Sequence, residues 1–440
     1  MARCFLILIG LMAWGSAWTV PTGFKWVPES SLPQARQGNE YYLEGLERLV
    51  AGDLAAANQA FRENVQHYPR AANAMLGLAE IAFQRNQIKE AGTWINKAVE
   101  IAPDNPHAQT SLGRYLRLTG RFKEAQDAFR KAAEFGPDMA EPWIALGDLY
   151  LTVFNKPKQA VEAYQTAVVI DSNLAAAHYA LGVAQFRLGD HTGAVTELRK
   201  AGELEPENPL PHLELARIYL NLQKPTDALT SVGEALRIQP GLLEAGLLRG
   251  DILSAQGNVA QAEATYTQLA ERHPKSAAPR LHLAMLYQQL GRREGAIDSY
   301  RSAIAIDPQL APAYNNLAGL LGEQKQYLAE AEALAAKAVA LTPQVAHFHD
   351  TLGWIYHKEG KLTESYQALG KAARMAPNDP AIAFHWVTVL ADCGDRREAI
   401  VQLERALKQS DRFPGAAEAT ALLNSLRNEE RTDTKPKRSC

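Results

Sequence analysis

Proline sets the frame of this chain. Pro69, Pro103 and Pro137, then Pro206, Pro240, Pro274 and Pro308, then Pro343 and Pro377, recur at a step of 34 residues. Two intervals depart from it: 137 to 206 is 69, one residue more than two steps, and 308 to 343 is 35. Each excess is one added residue, expected near Asn155-Lys156-Pro157 and near Gln324-Lys325-Gln326, at turns between helices. A chain of 440 residues would ordinarily suggest two or three globular domains. A period this regular replaces that reading with an array of small units that bury their apolar faces on one another.

Other columns fall into the same frame. Small residues recur early in each unit, as at Gly45, Ala79, Gly113, Gly147, Gly182 and Ala216. A second small column runs through Ala57, Ala91, Ala125, Ala160 and Ala194, and a third through Ala98, Ala132, Ala167 and Ala201. Between them stands a bulky column, Phe61, Ile95, Phe129, Tyr164 and Leu198. Gly52, Gly120, Gly189, Gly257, Gly291, Gly360 and Gly394 mark mid-unit turns. Small residues let two antiparallel helices approach. The bulky residue fills the groove between one helix pair and the next. Glycine permits the left-handed turn that ends the first helix, and proline stops the second.

Trp143, Leu146, Gly147, Tyr150, Ala160, Tyr164 and Ala167 in one unit, with Leu112, Gly113, Ala125, Phe129, Ala132 and Pro137 in another, resemble the tetratricopeptide repeat family. The resemblance covers residues 38–413 as about eleven units. It implies an all-α fold, a right-handed superhelical α-solenoid closed by a C-terminal capping helix. Some units depart from the pattern: Glu44 and Arg249 stand where leucine is usual, and Leu269 occupies the third small column. The last unit has Trp386-Val387 in place of Leu-Gly. Atypical end units are expected where one face meets water.

The flanks are expected to divide as follows. Arg3 precedes an apolar run from Cys4 to Trp14, followed by Gly15-Ser16-Ala17, the layout of a secretory signal peptide over residues 1–17. An uncleaved anchor is the alternative, although the run is short of the ~20 residues that span a bilayer. Residues 18–37, with Trp18, Phe24, Trp26 and three prolines, read as an extended linker or a capping arm, its aromatics packed on the first repeat. Residues 414–428 read as the capping helix, with an apolar stripe of Ala419, Leu422, Leu423 and Leu426. Residues 429–440 read as a charged, disordered tail. If Cys4 leaves with the leader, Cys393 and Cys440 remain and could form one bridge between the last repeat and the tail, although nothing in their spacing demands it.

Function classes narrow from there. A net charge of -3 argues against a nucleic-acid binder. No G-x-S-x-G, G-x-x-x-x-G-K-[ST] or H-E-x-x-H occurs, and no catalytic residue, metal ligand or cofactor site is assigned. His347, His349 and His357 lack the i, i+3 or i, i+4 spacing of a metal pair on one helix, and His349 falls in the packing column of Trp143 and Tyr314. A repeat-bearing glycosyltransferase would need a catalytic domain for which the repeats leave little room.

The family resemblance implies a concave groove lined by first helices. Read off that register, the candidate partner-binding residues are Arg114, Arg117, Tyr179, Phe186, Arg187 and Arg217, a basic and aromatic set, with Trp354 and His357 further along. Such a groove suits an acidic peptide, an acidic protein face or an anionic glycan. The stretch Asp350-Thr351-Leu352-Gly353-Trp354 is similar to this helix in many bacterial envelope repeat proteins, including ones associated with exopolysaccharide production and export. The resulting expectation is a non-catalytic, protein-binding scaffold, secreted across the inner membrane into the periplasm. It would hold partners together in exopolysaccharide synthesis or export, or alternatively in protein secretion, pilus or outer-membrane assembly. Its membrane association would come only through partners or an uncleaved leader.

Overall fold

The computed structural model describes residues 40–409, 416–432 and 440. The expected leader and arm, and most of the expected tail, lie outside the described residues. Among the described residues the chain forms 23 α-helices and no strand. They fall into two compact units that meet in sequence at Pro240 and Gly241.

The first unit holds repeats 1 to 6. Their helix pairs are Glu40–Val50 with Leu54–His67, Ala72–Gln84 with Ile88–Ile101, Pro106–Leu118 with Phe122–Phe135, Ala140–Asp148 with Pro157–Ile170, Ala175–Leu188 with His191–Leu204, and Leu210–Asn221 with Pro225–Ile238. The second unit holds repeats 7 to 11: Leu243–Ala255 with Val259–Arg272, Ala278–Gln289 with Arg293–Ile306, Ala311–Leu321 with Leu328–Leu341, Ala346–Glu359 with Leu362–Met375, and Pro380–Asp392 with Arg396–Gln409. A final helix, Ala416–Thr432, follows and runs past the expected boundary at 428.

Each pair is antiparallel because the mid-unit turn is tight. All seven glycines of the turn column take positive φ, between 68° and 93°. Asn86, Asn155 and Gln223 hold the same left-handed conformation in repeats 2, 4 and 6, where an L side chain crowds the backbone. The added residue of repeat 4 is not absorbed in the turn at Asn155, as its sequence position suggested. It is taken up one turn earlier, where Leu149–Val153 widens into a π-helical turn at the end of the first helix. That solution keeps the turn at Asn155 in the common geometry. The added residue of repeat 9 does sit in the turn, as the 3-10 segment Lys325–Tyr327.

The small columns are an interlock. A Cβ at Gly45 or at Gly77 would fall inside the ring of Phe61, so that ring is held between the first helices of its own repeat and the next. The same relation joins Gly113 to Phe129, Gly147 to Tyr164 and Gly250 to Tyr266. Repeat 7 explains its own departure: Leu269 sits where alanine is usual because Gly246 opposite it gives up its side chain. The buried clusters span adjacent repeats. From repeat 8 to repeat 10, Ala284, Tyr300, Leu317, Ala331, Leu352 and Ile355 form one buried cluster. No repeat has a private core, so each depends on its neighbours.

The last repeat is covered by the final helix, whose Ala419, Leu423 and Leu426 close on Val387, Leu390, Ala399 and Leu403. Cys440 is disulfide-bonded to Cys393, with a Cα–Cα distance of 5.4 Å. The C-terminus is thereby fixed to the turn of repeat 11, a pairing that sequence separation alone could not specify.

Candidate interaction surfaces

First helices of adjacent repeats lie side by side within each unit. In repeats 2 to 4 their shared face carries a column of alternating charge. Glu80, Arg114 and Asp148 occupy the same position in successive repeats, 34 residues apart. Arg114 Nη1 lies 3.0 Å from Glu80 Oε2, with side chains only 19% and 10% exposed. The guanidinium also stands 5.1 Å from the ring centroid of Phe83. Glu141 lies within range of this pair: burial pushes its carboxyl above the usual range, Arg114 opposes the rise, and Glu80 adds to it.

One turn along, Arg117 Nη1 stands 3.9 Å from Asp148 Oδ2. Asp148 Oδ1 accepts a 2.6 Å hydrogen bond from the Tyr164 hydroxyl. Burial raises the Asp148 carboxyl, and Tyr164 and Arg117 partly offset it. The same burial, with Asp148 alongside, pushes the Tyr164 phenol well above its ordinary value. Arg187 Nη1 donates to the Leu151 carbonyl of the preceding repeat at 3.2 Å. Burial lowers the Arg187 pKa, while Tyr164 and Glu214 oppose the change. Arg217 pairs with Glu214 on its own helix at 3.1 Å. Tyr179 is half-buried. Phe186 turns its ring toward His191 across the mid-unit turn, 5.4 Å between centroids.

The face expected to be basic is therefore charge-balanced. The expectation counted arginines and overlooked Glu80, Glu141, Asp148 and Glu214. Two of these, Glu80 and Asp148, were legible as charges standing in the column of Arg114: oppositely charged residues one period apart become neighbours. Arg114 and Arg117 tie repeats together, so they are joints of the surface as well as part of it.

In the second unit, Trp354 and His357 of repeat 10 meet His385 of repeat 11. The Trp354 ring stacks on His385 at 4.1 Å and on His357 at 4.8 Å, with interplanar angles of 16° and 14°. His385 Nδ1 is 2.9 Å from Asp350 Oδ1. His357 Nε2 is 2.7 Å from Asp392 Oδ2. Each of these pairs joins residues 35 apart, one more than the repeat step of 34. His349 Nε2 bonds the Pro343 carbonyl at 2.9 Å, the packing role its column implied. His347 Nε2 lies 3.5 Å from Asp379 Oδ2. Each imidazole is thus directed to a different oxygen, and His385, absent from the candidate set, is the hub. Among the described residues no group of three His, Cys, Asp or Glu side chains could hold a metal ion.

A cleft also opens between the second helices of repeats 3 and 4, lined by Arg130, Trp143, Leu146, Tyr150 and Glu162. In its wall the Tyr150 hydroxyl accepts from Gln126 and Arg130, at 2.9 and 3.1 Å. No described helix is long and apolar enough to cross a membrane.

Models of the tetratricopeptide repeat match residues 42–106, 179–242 and 247–311, residues 106–131 and residues 346–379, and a TPR repeat model matches residues 155–189. The chain is 23% identical over 338 residues to a BBSome complex member BBS4 homolog of Drosophila melanogaster, covering 73% of this chain and 69% of that one. It is 26% identical over 389 residues to cellulose synthase operon protein C of Xanthomonas axonopodis pv. citri, covering 82% of this chain but 24% of that protein. It is 29% identical over 136 residues to type IV pilus assembly protein PilF of Pseudomonas aeruginosa, covering 31% of this chain and 54% of that protein. Among solved structures, yeast Tom70 aligns with a TM-score of 0.50 at 14% identity, over 91% of this chain and 97% of that one, a likeness of fold. The family-model matches fall on the units that the prolines mark out: the chain belongs to the tetratricopeptide repeat family.

Proposed function

We propose that this chain is a non-catalytic scaffold that works outside the cytoplasm and holds protein partners in an exopolysaccharide synthesis or export assembly. The observation that carries the reading is the alignment with cellulose synthase operon protein C, which extends over 82% of this chain. The structure supports a scaffold. Adjacent first helices present a continuous face, and its charged groups are used to fix one repeat to the next. Such a face is stiff and pre-ordered, so a partner loses little free energy to ordering it. Half-buried Tyr179 and the exposed edges of the charged column are its points of recognition.

A second reading, scaffolding of pilus assembly, draws on the PilF likeness over 31% of the chain. The two readings separate by affinity capture of the tagged protein from cross-linked envelope extract. Enrichment of a polysaccharide synthase or exporter subunit supports the first. Enrichment of pilus components supports the second. Recovery of cytosolic proteins alone sinks both.

A further inference from the structure

The mid-unit turns of repeats 2 to 6 form an edge whose chemistry differs from the rest of the molecule. They stand next to one another: Arg85 of repeat 2 donates to the Leu54 carbonyl of repeat 1 at 3.1 Å, and Arg187 of repeat 5 reaches Leu151 of repeat 4. At their tips, Leu118, Phe122, Val153 and Leu188 are 56%, 36%, 36% and 46% exposed. Exposed cations flank them: Lys123, Lys156 and Lys158, Arg187, Lys224, and Arg121, which pairs with Glu124. Asp190 and Asp227 are the other exposed acids of these turns. Among the described residues no carboxylate pairs with Lys123, Lys156, Lys158 or Lys224.

The opposite edge has the reverse sign. The turns between these repeats, 102–106, 136–140, 171–175 and 205–209, contain Asp104, Asp138, Asp171, Glu205 and Glu207 and no lysine or arginine. In the second unit Arg292, Arg293 and Lys361 at the mid-unit turns pair with Glu263, Glu323 and Glu332. Lys325 is a turn cation without such a carboxylate partner among the described residues, and Lys275 stands in a turn between repeats.

We infer that the turn edge of repeats 3 to 6 docks on the surface of an anionic phospholipid bilayer. Unpaired lysines beside aliphatic and aromatic tips are what an anionic interface rewards, the cations at the headgroups and the tips in the acyl boundary. The tips sit on successive turns, 36–56% exposed. A folded acidic protein would need a matching furrow to bury them, whereas lipid deforms around them. A soluble polyanion would engage the lysines and leave the tips in water. The acidic opposite edge is repelled by the same surface, which fixes orientation. This contact is direct, where the sequence had suggested membrane association only through partners or a leader, and it does not rest on the identity of any partner.

The test is flotation of the full chain with phosphatidylcholine vesicles, with and without phosphatidylglycerol. Any insertion of the N-terminal apolar run is common to both lipids, so the difference between them reads the edge. Binding is expected to rise with phosphatidylglycerol and fall with salt. The triple change Lys123→Gln, Lys156→Gln and Lys158→Gln weakens it by roughly fivefold per lysine, on the order of a hundredfold together, with the thermal midpoint unchanged. Phe122→Gln weakens it as well. A Leu118→Trp reporter shifts to the blue and is quenched by brominated lipid. Binding that ignores phosphatidylglycerol, or that survives the triple change, overturns the proposal. So does a Leu118→Trp reporter that stays in water while dextran sulfate displaces the protein, which would mark a polyanion site instead.

Discussion

Changing Arg114 to methionine keeps the apolar stem and removes the charge that Glu80 and Glu141 face. At 19% and 10% side-chain exposure the Arg114–Glu80 pair is neither a surface nor a fully buried ion pair. Exposed pairs contribute about 0–1 kcal/mol, and breaking a fully buried one costs about 3–5 kcal/mol. The partial burial places this loss near ~2 kcal/mol, and the lost cation over Phe83 adds about 0.5–1 kcal/mol. The expected loss is therefore ~3 kcal/mol at neutral pH. It should shrink in the double variant Glu80→Gln with Arg114→Met, because no carboxylate at 80 is then left without its cation.

The pH dependence has a definite sign. Glu141 already titrates above the usual carboxylate range, and Arg114 restrains the rise. Without Arg114 its folded pKa moves further up, so the penalty is full at neutral pH. It is relieved as pH falls through that raised value. Urea unfolding reads the global effect, and amide exchange in repeats 2 to 4 reads the local one, since long arrays need not unfold as one unit. A variant within 0.5 kcal/mol of the parent, or a loss that grows on acidification, would refute this account of the column.

Four further outcomes follow. Gln223→Gly relieves a left-handed φ of 58° and is expected to raise stability by about 1 kcal/mol, read as a higher urea midpoint. Phe129→Ala empties the space against Gly113 and is expected to cost about 3–5 kcal/mol; a loss below 1 kcal/mol would show that the interlock collapses freely. Asp148, raised by burial, favours the folded state increasingly as pH falls through its folded pKa, so the parent should gain on Asp148→Asn between neutral and mildly acidic pH, measured by paired urea titrations. Cys440→Ser opens a loop with a sequence separation of 47 and is expected to lower stability by ~2–4 kcal/mol, an effect that reducing agent should reproduce in the parent alone.

The repeat frame was legible because its signals are local and recur: Gly120 and Gly189 mark turns by backbone conformation, and Gly45 opposite Phe61 marks packing by size. The positive φ at Gln223 was not, because no chemical preference puts glutamine there; the turn is imposed by the repeats around it. The π turn at Leu149–Val153 was also hidden, since an added residue can be absorbed wherever strain is lowest. The arginines of the first-helix face were found by register, but their pairing was missed by reading one sign of charge at a time. Glu80 with Arg114 shows the remedy, which is to scan each column for opposite charges one period apart. Asp350 with His385, one residue off the period, shows that the neighbouring column must be scanned too. The disulfide joins residues with no shared period, and only three-dimensional placement reveals it.

The proposed extracytoplasmic role, with a partner held on the first-helix face, is tested by placing a photo-reactive benzoylphenylalanine at Tyr179 and irradiating intact cells, with adducts identified by mass spectrometry. One discrete envelope protein joined at that position is expected. An accumulated protein that yields no adduct there, or only cytosolic ones, would refute the proposal.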